Sequence, residues 1–369
     1  MIDVHSHILN FGCCPDEWLT KLTYIPHVEQ ILKLPMSKRI IQLLTFLLHR
    51  GKFSKTHEMI DIFNAMLFDV GEILRQESEE AGIKLTTPLM MDMDQATDKL
   101  FKSELNYGIQ IEIMKRIAKK HYGTIMPFIG YDPRRQDANK IVVFSLMAKG
   151  MLGIKMYPKL GFHPSPQSIV NSFDVNGKLD DMYEYCVTNS IPITTHCSPG
   201  GAYSEGLIGK REERNTLVHP SAWEEVLKRH PTLYLNLGHF GGNWKWAEHA
   251  IKLMEAYPNV YGDISYHDLA HKDPDAYFKV FNSSKMPHDR LMFGSDWSMI
   301  RHTYTIKEFM KPFKENIKSR VRNKIFYENA LNFLFPENKI PDRIRLALDM
   351  GDDDTPVWLQ TQFKRRETK

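Results

Sequence analysis

The segment Asp3-Val4-His5-Ser6-His7 closes a short apolar run at the start of the chain. Side chains two positions apart on a β-strand point to the same side, so His5 and His7 share one face of a strand predicted at residues 1–7. Neutral imidazoles are the most common ligands of zinc and similar ions. The alternative is that the two histidines are only hydrogen-bonded to their surroundings. The pair alone does not distinguish a metal site from this alternative, so the rest of the sequence is needed.

Further apolar, strand-like runs follow, and amphipathic helical patterns separate most of them. In residues 104–121 apolar side chains recur at four-residue intervals and predict one apolar helix face, and residues 221–230 repeat this pattern. Strands that alternate with helices throughout predict an α/β protein with a closed (β/α)8 barrel, a TIM barrel. A doubly wound sheet is the alternative, but no G-x-G-x-x-G sequence follows a strand. The later strands are predicted at 85–93, 123–131, 151–157, 191–197, 232–239, 258–265 and 290–297.

Two regions extend the chain beyond the roughly 250 residues of a typical barrel. Residues 12–82 have helical spacing and form a predicted helical insert after strand one, which places it at the C-terminal rim. It could act as a lid, a substrate wall or an oligomer contact, or it could only pack against the barrel. We predict a barrel domain at residues 1–337, which includes the insert, and a C-terminal extension at residues 338–369.

The composition excludes several classes of protein. The 48 basic and 45 acidic residues give a net charge of +3, without the basic excess that is typical of nucleic-acid-binding proteins. The four cysteines lack the spacing of a disulfide framework or of a CxxC zinc site. The sequence shows no signal-peptide pattern and no apolar run of membrane-spanning length. We therefore predict a cytoplasmic protein that binds neither nucleic acid nor membrane.

Three later strand-like runs also end in a residue that can bind a metal: His196, His239 and Asp296. A carboxylate directly after an apolar run is costly to bury unless it is paired or metal-bound. The C-terminal ends of barrel strands meet at one face, where active sites of this fold lie. Together with the first two histidines, these residues predict one metal site assembled from several strands. Asp296 would bind the ion or handle the proton of an activated water.

The pattern resembles the amidohydrolase superfamily, in which His-x-His lies on strand one, single histidines on strands five and six, and an aspartate on strand eight. Finer motifs resemble its amidohydrolase-related branch, which includes aminocarboxymuconate-semialdehyde decarboxylase. These motifs are Gly238-His-Phe-Gly-Gly242, Phe293-Gly-Ser-Asp-Trp297 and Ile325-Phe-Tyr-Glu-Asn-Ala330. The resemblance covers roughly residues 1–10 and 85–335, and the insert and the C-terminal extension fall outside it.

The resemblance implies roles for individual residues. His5, His7, His196 and Asp296 would hold one divalent ion, most often zinc, with manganese or iron as alternatives. His239 would act as an acid or base beside the ion, so Asp296 and His239 are the expected catalytic residues. A carboxylated lysine bridges two ions in other members of the superfamily, and Lys155 at the end of strand four is its counterpart. This branch usually has one metal, so a second ion is less favoured, and Lys155 would bind a substrate carboxylate or form a structural ion pair.

Four further residues lie close to the ends of predicted strands, so we expect them near the same rim. Arg134 could clamp a substrate carboxylate, Tyr157 and Trp297 could line the pocket, and Asp92 could orient a ligand histidine from behind. An ordinary packing or surface role is the alternative for each. Seven histidines are predicted at the surface: His27, His49, His57, His219, His230, His271 and His302.

These observations predict a metal-dependent hydrolase. It would cleave a C–O or C–N acyl bond of a small polar or carboxylated organic molecule with water activated by the metal. A nonhydrolytic decarboxylase of a small aromatic or enoic acid is the first alternative, because the same ligand set serves both reactions. A noncatalytic metal-binding scaffold, with residues 12–82 mediating assembly, is the second. The expected partner is a small-molecule substrate, and a homo-oligomer is compatible with the sequence.

Overall fold

The computed structural model describes residues 1–15, 55–95, 103–201 and 211–367. Each of the eight predicted strands is present, and each lies inside its predicted range. The strands are β1 Ile2–Ser6, β2 Leu85–Pro88, β3 Phe128–Tyr131, β4 Gly153–Met156, β5 Ile193–His196, β6 Leu235–Gly238, β7 Val260–Asp263 and β8 Leu291–Met292.

The strands are parallel and close into a barrel. β1 pairs with β2, and β3 to β8 pair in sequence order. The two groups are joined on both sides. The N–H of Thr86 donates to the carbonyl of Thr124 at 2.9 Å, and the N–H of Val4 donates to the carbonyl of Phe293 at 3.0 Å. The predicted (β/α)8 barrel is therefore confirmed, and all the strand residues are buried.

Helices surround the strands, and several begin at a side-chain cap. Asn106, Ser172 and Thr305 each accept a hydrogen bond from a backbone N–H in the first turn of the following helix. The helices are α1 Thr56–Asn64, α2 Leu67–Glu80, α3 Tyr107–Lys120, α4 Ala138–Ala148, α5 Phe173–Thr188, α6 Arg211–Val218, α7 Glu224–Arg229, α8 Trp244–Ala256, α9 Leu269–Lys272, α10 Pro274–Phe281, α11 Ile306–Asn316, α12 Ser319–Asn323, α13 Asn329–Leu334, α14 Asp342–Leu348 and α15 Val357–Glu367. A π-helical turn, Lys324–Glu328, joins α12 to α13. Among the described residues, none of these helices is both long enough and apolar enough to cross a bilayer.

The insert after β1 is helical where the structure describes it, and its helices α1 and α2 contact the segment that follows β8. Arg301, only 7% exposed, forms ion pairs with Glu58 of α1 and with Glu77 of α2. The insert is thereby attached to the stretch of chain that carries Asp296. Residues 16–54 of the predicted insert lie outside the described residues.

The C-terminal extension packs at the opposite end of the barrel. Arg343 of α14 donates hydrogen bonds to the carbonyls of Leu146, Met151 and Leu152, at the end of α4 and just before β4. The guanidinium thereby ties α14 to the end of α4 and to the chain that enters β4. The extension therefore lies away from the C-terminal rim.

Candidate metal centre

The C-terminal end of the barrel carries the histidines and the aspartate that the sequence singles out. His5 lies in β1, His196 ends β5, and His239 directly follows β6. Asp296 follows β8, and its N–H donates to the carbonyl of His5 at 2.7 Å. His239 and Asp296 both have a φ of 63°. Left-handed backbone of this kind is costly for non-glycine residues and clusters at functional sites.

His5, His7 and Asp296 form one compact group. Nε2 of His7 lies 3.1 Å from Oδ1 of Asp296, and Nε2 of His5 lies 3.7 Å from the same oxygen. The ligand atoms of all three residues lie within 4.8 Å of one another. Nε2 of His5 is buried and has no hydrogen-bond partner among the described residues.

The hydrogen bonds of the Nδ1 atoms show which nitrogen carries the proton in the rings of His5 and His7. Nδ1 of His7 is 2.8 Å from the carbonyl of Leu89, and Nδ1 of His5 is 2.9 Å from Oδ2 of Asp263. A carbonyl can only accept a hydrogen bond. Burial raises the pKa of Asp263, but His5 and other donors lower it by a larger amount. The pKa therefore lies well below its ordinary value, and the group is a carboxylate. Both Nδ1 atoms therefore donate, and in neutral rings both Nε2 atoms carry lone pairs.

The charge state of this group fits a divalent metal ion. Burial lowers the pKa of His5 to about 3, against the attraction of Asp263, so the ring is neutral. Burial alone would raise the pKa of Asp296, but His7 and His239 lower it below its ordinary value, and the carboxylate is ionised. Two imidazole lone pairs and a carboxylate that face one another repel unless a cation or a shared proton lies among them. Nitrogen and oxygen donors of this kind suit zinc and related ions.

His196 pairs with His239 and is not part of the compact group. Nδ1 of His196 and Nε2 of His239 are 3.1 Å apart. Nε2 of His196 donates to the carbonyl of Gly200 at 2.9 Å, and Nδ1 of His239 donates to Ser265. Burial lowers the pKa of both histidines, so in these neutral rings the two facing nitrogens are both lone pairs. Three of the four predicted ligands thus form the compact group, and the fourth, His196, instead pairs with His239.

Asp263, at the end of β7, connects these two sets of donors and is absent from the sequence prediction. Its Oδ2 accepts hydrogen bonds from His5 and from Asn236, and its Oδ1 accepts one from the backbone N–H of His239 at 3.0 Å. The hydroxyl of Ser265 also donates to Oδ1. One carboxylate therefore fixes both the ring of His5 and the backbone of His239. A signal was available, because Asp263 ends an apolar strand in the same way as Asp296 does.

Lys155 and Tyr157 lie beside the histidines and carboxylates of this site. The ammonium of Lys155 has no hydrogen-bond partner among the described residues, and the side chain is buried. Burial lowers its pKa to about 8, although Asp263 and Asp296 attract the charged form. The ring of Tyr157 stacks on His196 with centroids 4.4 Å apart, and Nζ of Lys155 is 5.8 Å from its centroid. Lys155 therefore carries a positive charge near two carboxylates without a direct contact to either.

Lys159 is a second buried lysine, and sequence reasoning missed it. Its Nζ donates to the carbonyls of Pro199 and Gly200, at 2.5 and 2.7 Å. The carbonyl of Gly200 also accepts the hydrogen bond from Nε2 of His196, so Lys159 and His196 share one acceptor. The next residue, Gly201, has a φ of 108°, and a Cβ there would lie 2.7 Å from the ring of His196. Only glycine fits this position.

Asp92 and Arg134, for which the sequence predicts roles at the site, form ion pairs with other residues in this structure. The carboxylate of Asp92 accepts two hydrogen bonds from Arg135, at 2.5 and 2.6 Å, and the ligand histidines are oriented by Asp263 and the Leu89 carbonyl instead. The guanidinium of Arg134 donates to both carboxylate oxygens of Asp132 and to the carbonyl of Gln95. Its charge is already neutralised, so it is not available to clamp a substrate in this conformation.

Trp297 and His302 are more buried than a pocket wall or a surface position requires. Trp297 is fully buried in the hydrophobic core next to Glu77 of α2, which fits the packing role that the sequence left open. His302, predicted at the surface, is half-buried, and its Nε2 lies 2.8 Å from the hydroxyl of Tyr266. Of the other histidines predicted at the surface, His57 is exposed, while His219, His230 and His271 are half-buried, and His27 and His49 lie outside the described residues.

The fold and this site define a class of metal-dependent barrel enzymes, and comparisons with known proteins agree. The amidohydrolase family model Amidohydro_2 matches residues 2–335. The chain therefore belongs to the amidohydrolase family, as its motifs predict. The search of curated proteins found no match.

Solved structures share the fold across most of the chain. An uncharacterised TIM-barrel protein from Bordetella bronchiseptica is 17% identical, with a TM-score of 0.56 over 95% of this chain and 99% of that one. A 5-carboxyvanillate decarboxylase from Novosphingobium aromaticivorans, solved with bound manganese, is 12% identical, with a TM-score of 0.59 over 90% and 96%. A probable 2-pyrone-4,6-dicarboxylic acid hydrolase from Acinetobacter baumannii is 10% identical, with a TM-score of 0.52 over 90% and 98%. Identities this low establish the shared fold only.

Proposed function

We propose that this protein is a metal-dependent hydrolase that cleaves a C–O or C–N acyl bond in a small carboxylated organic molecule. The observation that carries the proposal is the convergence of His5, His7 and Asp296, whose two imidazole lone pairs and carboxylate meet at the C-terminal end of the barrel. A divalent ion held there would polarise the acyl carbonyl and activate water. Zinc is our first choice for that ion and one ion per chain is our preferred count, with His196 as the fourth ligand.

His239 is placed to move a proton. Its Nδ1 is occupied by the hydrogen bond to Ser265, so Nε2 is the atom that can accept or donate a proton. The carboxylate of Asp263, which accepts from the backbone N–H of His239, stabilises the positive ring that would form. This arrangement supports the role of general acid or base. The ionised carboxylate of Asp296 is the second group that can take a proton.

Lys155 supports a substrate that carries a negative charge. With a pKa of about 8, its amine is mostly protonated at neutral pH, and it has no hydrogen-bond partner among the described residues. A buried ammonium without a partner is costly, and a substrate carboxylate would relieve that cost. We propose that Lys155 holds this carboxylate while the ring of Tyr157 forms one wall of the pocket.

A decarboxylase is the second candidate, and Lys155 again favours it. A cationic group next to a metal site can hold a carboxylate that is lost as CO₂ in a decarboxylation. It can equally hold a carboxylate that the substrate of a hydrolase keeps. The structural similarity to a 5-carboxyvanillate decarboxylase and to a probable pyrone-dicarboxylate hydrolase is consistent with either reaction. In the decarboxylase, His239 would deliver the proton that replaces the carboxylate.

A substrate screen with metal-reconstituted protein tests the proposal. Lactones, amides and hydroxy- or amino-aromatic acids would be assayed for both hydrolysis products and released CO₂, with Asp296→Asn as the inactive control. Hydrolysis that depends on added metal supports the first candidate, and CO₂ release without hydrolysis would replace it with the second. If no substrate is turned over, or if Asp296→Asn is as active as wild type, the enzymatic proposal fails and the noncatalytic scaffold takes its place.

A further inference from the structure

A cavity of about 170 Å³ lies beside the metal centre, between the segments that follow β6 and β7. Four of its nine lining residues are aromatic, namely Trp244, Tyr266, His267 and Tyr277, and the others include Leu269 and the polar residues Asn243, Asp268 and Lys272. The rings of Trp244 and Tyr277 are 5.2 Å apart and tilted by 37°. Tyr266 and Leu269 are 43% and 51% exposed, so the cavity opens to solvent on their side.

Most polar side chains of the wall already have partners. Nδ1 of His267 accepts from the hydroxyl of Tyr277 at 2.9 Å, and the hydroxyl of Tyr266 is bonded to His302. Lys272, which also lines the cavity, forms an ion pair with Asp268. The wall therefore offers ring faces and aliphatic carbon to a ligand and few unused hydrogen-bonding groups. A cavity of about 150 Å³ with an apolar lining is large enough to bind benzene.

Two contacts link this cavity to the metal centre. Nε2 of His267 donates to the carbonyl of His239 at 2.8 Å, and burial lowers the pKa of His267 to about 4, so its ring is neutral. Tyr266 lies on the other side of the cavity, close enough to Asp296 that burial and this carboxylate together raise the pKa of the phenol to about 12. Tyr266 also has a φ of 55°, a strained conformation that presents its ring at the rim. A ligand in the cavity would therefore be separated from His239 by a single residue, His267.

We propose that this cavity binds one planar aromatic ring at the rim of the metal centre. The volume fits a single six-membered or indole-sized ring, and contact with the aromatic side chains of the wall, Trp244, Tyr266 and Tyr277, favours a planar ring over an aliphatic group. The ring can belong to the substrate or to a separate aromatic ligand. Only its assignment to the substrate rests on the function proposed above.

Calorimetric titration of the full-length, metal-loaded protein with phenol and indole tests the binding. The variant Leu269→Trp fills the cavity from its exposed edge, and Trp244→Leu removes a stacking face. Leu346→Trp, at a residue of α14 that is 71% exposed, is the matched control. We expect one ring to bind per chain, about tenfold weaker binding in both cavity variants, and unchanged binding in the control. Aliphatic cyclohexanol should bind more weakly than phenol.

Absence of saturable binding in the millimolar range would overturn the proposal, and so would equal affinities in all four proteins. Because the titration needs no turnover, its failure leaves the proposed reaction untouched. Once a substrate is known, competition between indole and that substrate assigns the ring to the substrate. Simultaneous binding of both assigns it to a separate aromatic ligand.

Discussion

Nε2 of His7 lies 3.1 Å from Oδ1 of Asp296, and the hydrogen bond from Nδ1 of the same ring to Leu89 leaves this Nε2 as a lone pair when the ring is neutral. Two electron-rich atoms in such a contact do not attract each other. Their proximity is stable only if a cation or a shared proton lies between them. The barrel therefore arranges these two donors to suit a cation, which is the preorganisation that metal centres require.

Metal loading should stabilise the fold. Zinc at about 100 times its Kd should raise the free energy of unfolding by about 2.7 kcal/mol, since the ion binds only the folded chain. Thermal denaturation with and without a chelator measures this, and elemental analysis should find close to one ion per chain. Asp296→Asn should remove the stabilisation, while Asp180→Asn, at a carboxylate 39% exposed, should not. An unchanged melting temperature after complete metal removal would contradict the prediction, and two ions per chain would assign Lys155 to a bridging role.

Asp263→Asn should weaken metal binding by about 10- to 100-fold, the usual effect of removing a carboxylate behind a ligand histidine. The amide can still accept from His5, but it lacks the negative charge that makes the opposite nitrogen a stronger donor. Competition with a colorimetric zinc chelator measures the affinity, and Asp180→Asn again serves as control. Zinc affinity equal to that of wild type would show that Asp263 acts on folding alone.

Replacing Lys155 should separate stability from activity. Its pKa is about 8 in the folded chain and 10.5 when unperturbed, so burial disfavours the charged form. The free-energy cost of burying the charged amine is largest below pH 8 and disappears as the pH rises to 10.5. Lys155→Met should therefore raise the free energy of unfolding by about 1–3 kcal/mol at pH 7 and by little at pH 10.5. Urea denaturation at both pH values measures this.

The same shift predicts the pH dependence of substrate binding. Above pH 8 the amine of Lys155 loses its proton, so KM for a carboxylated substrate should rise in the wild type. In Lys155→Met, KM should be high at every pH. A KM that is independent of pH between 7 and 9 in the wild type would contradict the role of Lys155 in holding the carboxylate.

The successes and failures of sequence reasoning have a common physical reason. The strands and the histidines at their ends could be predicted because each is marked by a local pattern, an apolar run that ends in a polar residue. No local sequence pattern indicates which side chains from different strands and loops pair with each other. Asp92 pairs with Arg135, and Arg134 with Asp132, only because the loops after β2 and β3 lie side by side. The hydrogen bond from His5 to Asp263 likewise joins residues that are remote in sequence and adjacent only in the closed barrel.

Lys159 should control the orientation of His196. Lys159→Met leaves the carbonyls of Pro199 and Gly200 without their charged donor, at a cost of about 1–3 kcal/mol for each buried group. Because the carbonyl of Gly200 holds the Nε2 proton of His196, the tautomer of this ring should become mixed in the variant. Nitrogen-15 NMR of the histidine side chains reports the tautomer directly, and Lys159→Arg should restore it in part. A destabilised variant with an unchanged tautomer would show that Lys159 has a structural role only.

Arg301 should hold the insert against the metal centre. Its buried guanidinium pairs with Glu58 and Glu77, so Arg301→Met leaves two partly buried carboxylates without a counter-charge. The expected loss is about 3–5 kcal/mol, because breaking one side of a buried ion pair costs more than the pair contributes. Arg75→Met removes only an exposed pair with Glu79 and should cost less than about 1 kcal/mol. Urea denaturation compares the two variants, and limited proteolysis should cleave α1 and α2 faster in Arg301→Met alone. Equal losses in both variants would mean that the ion pairs do not attach the insert to the segment that carries Asp296.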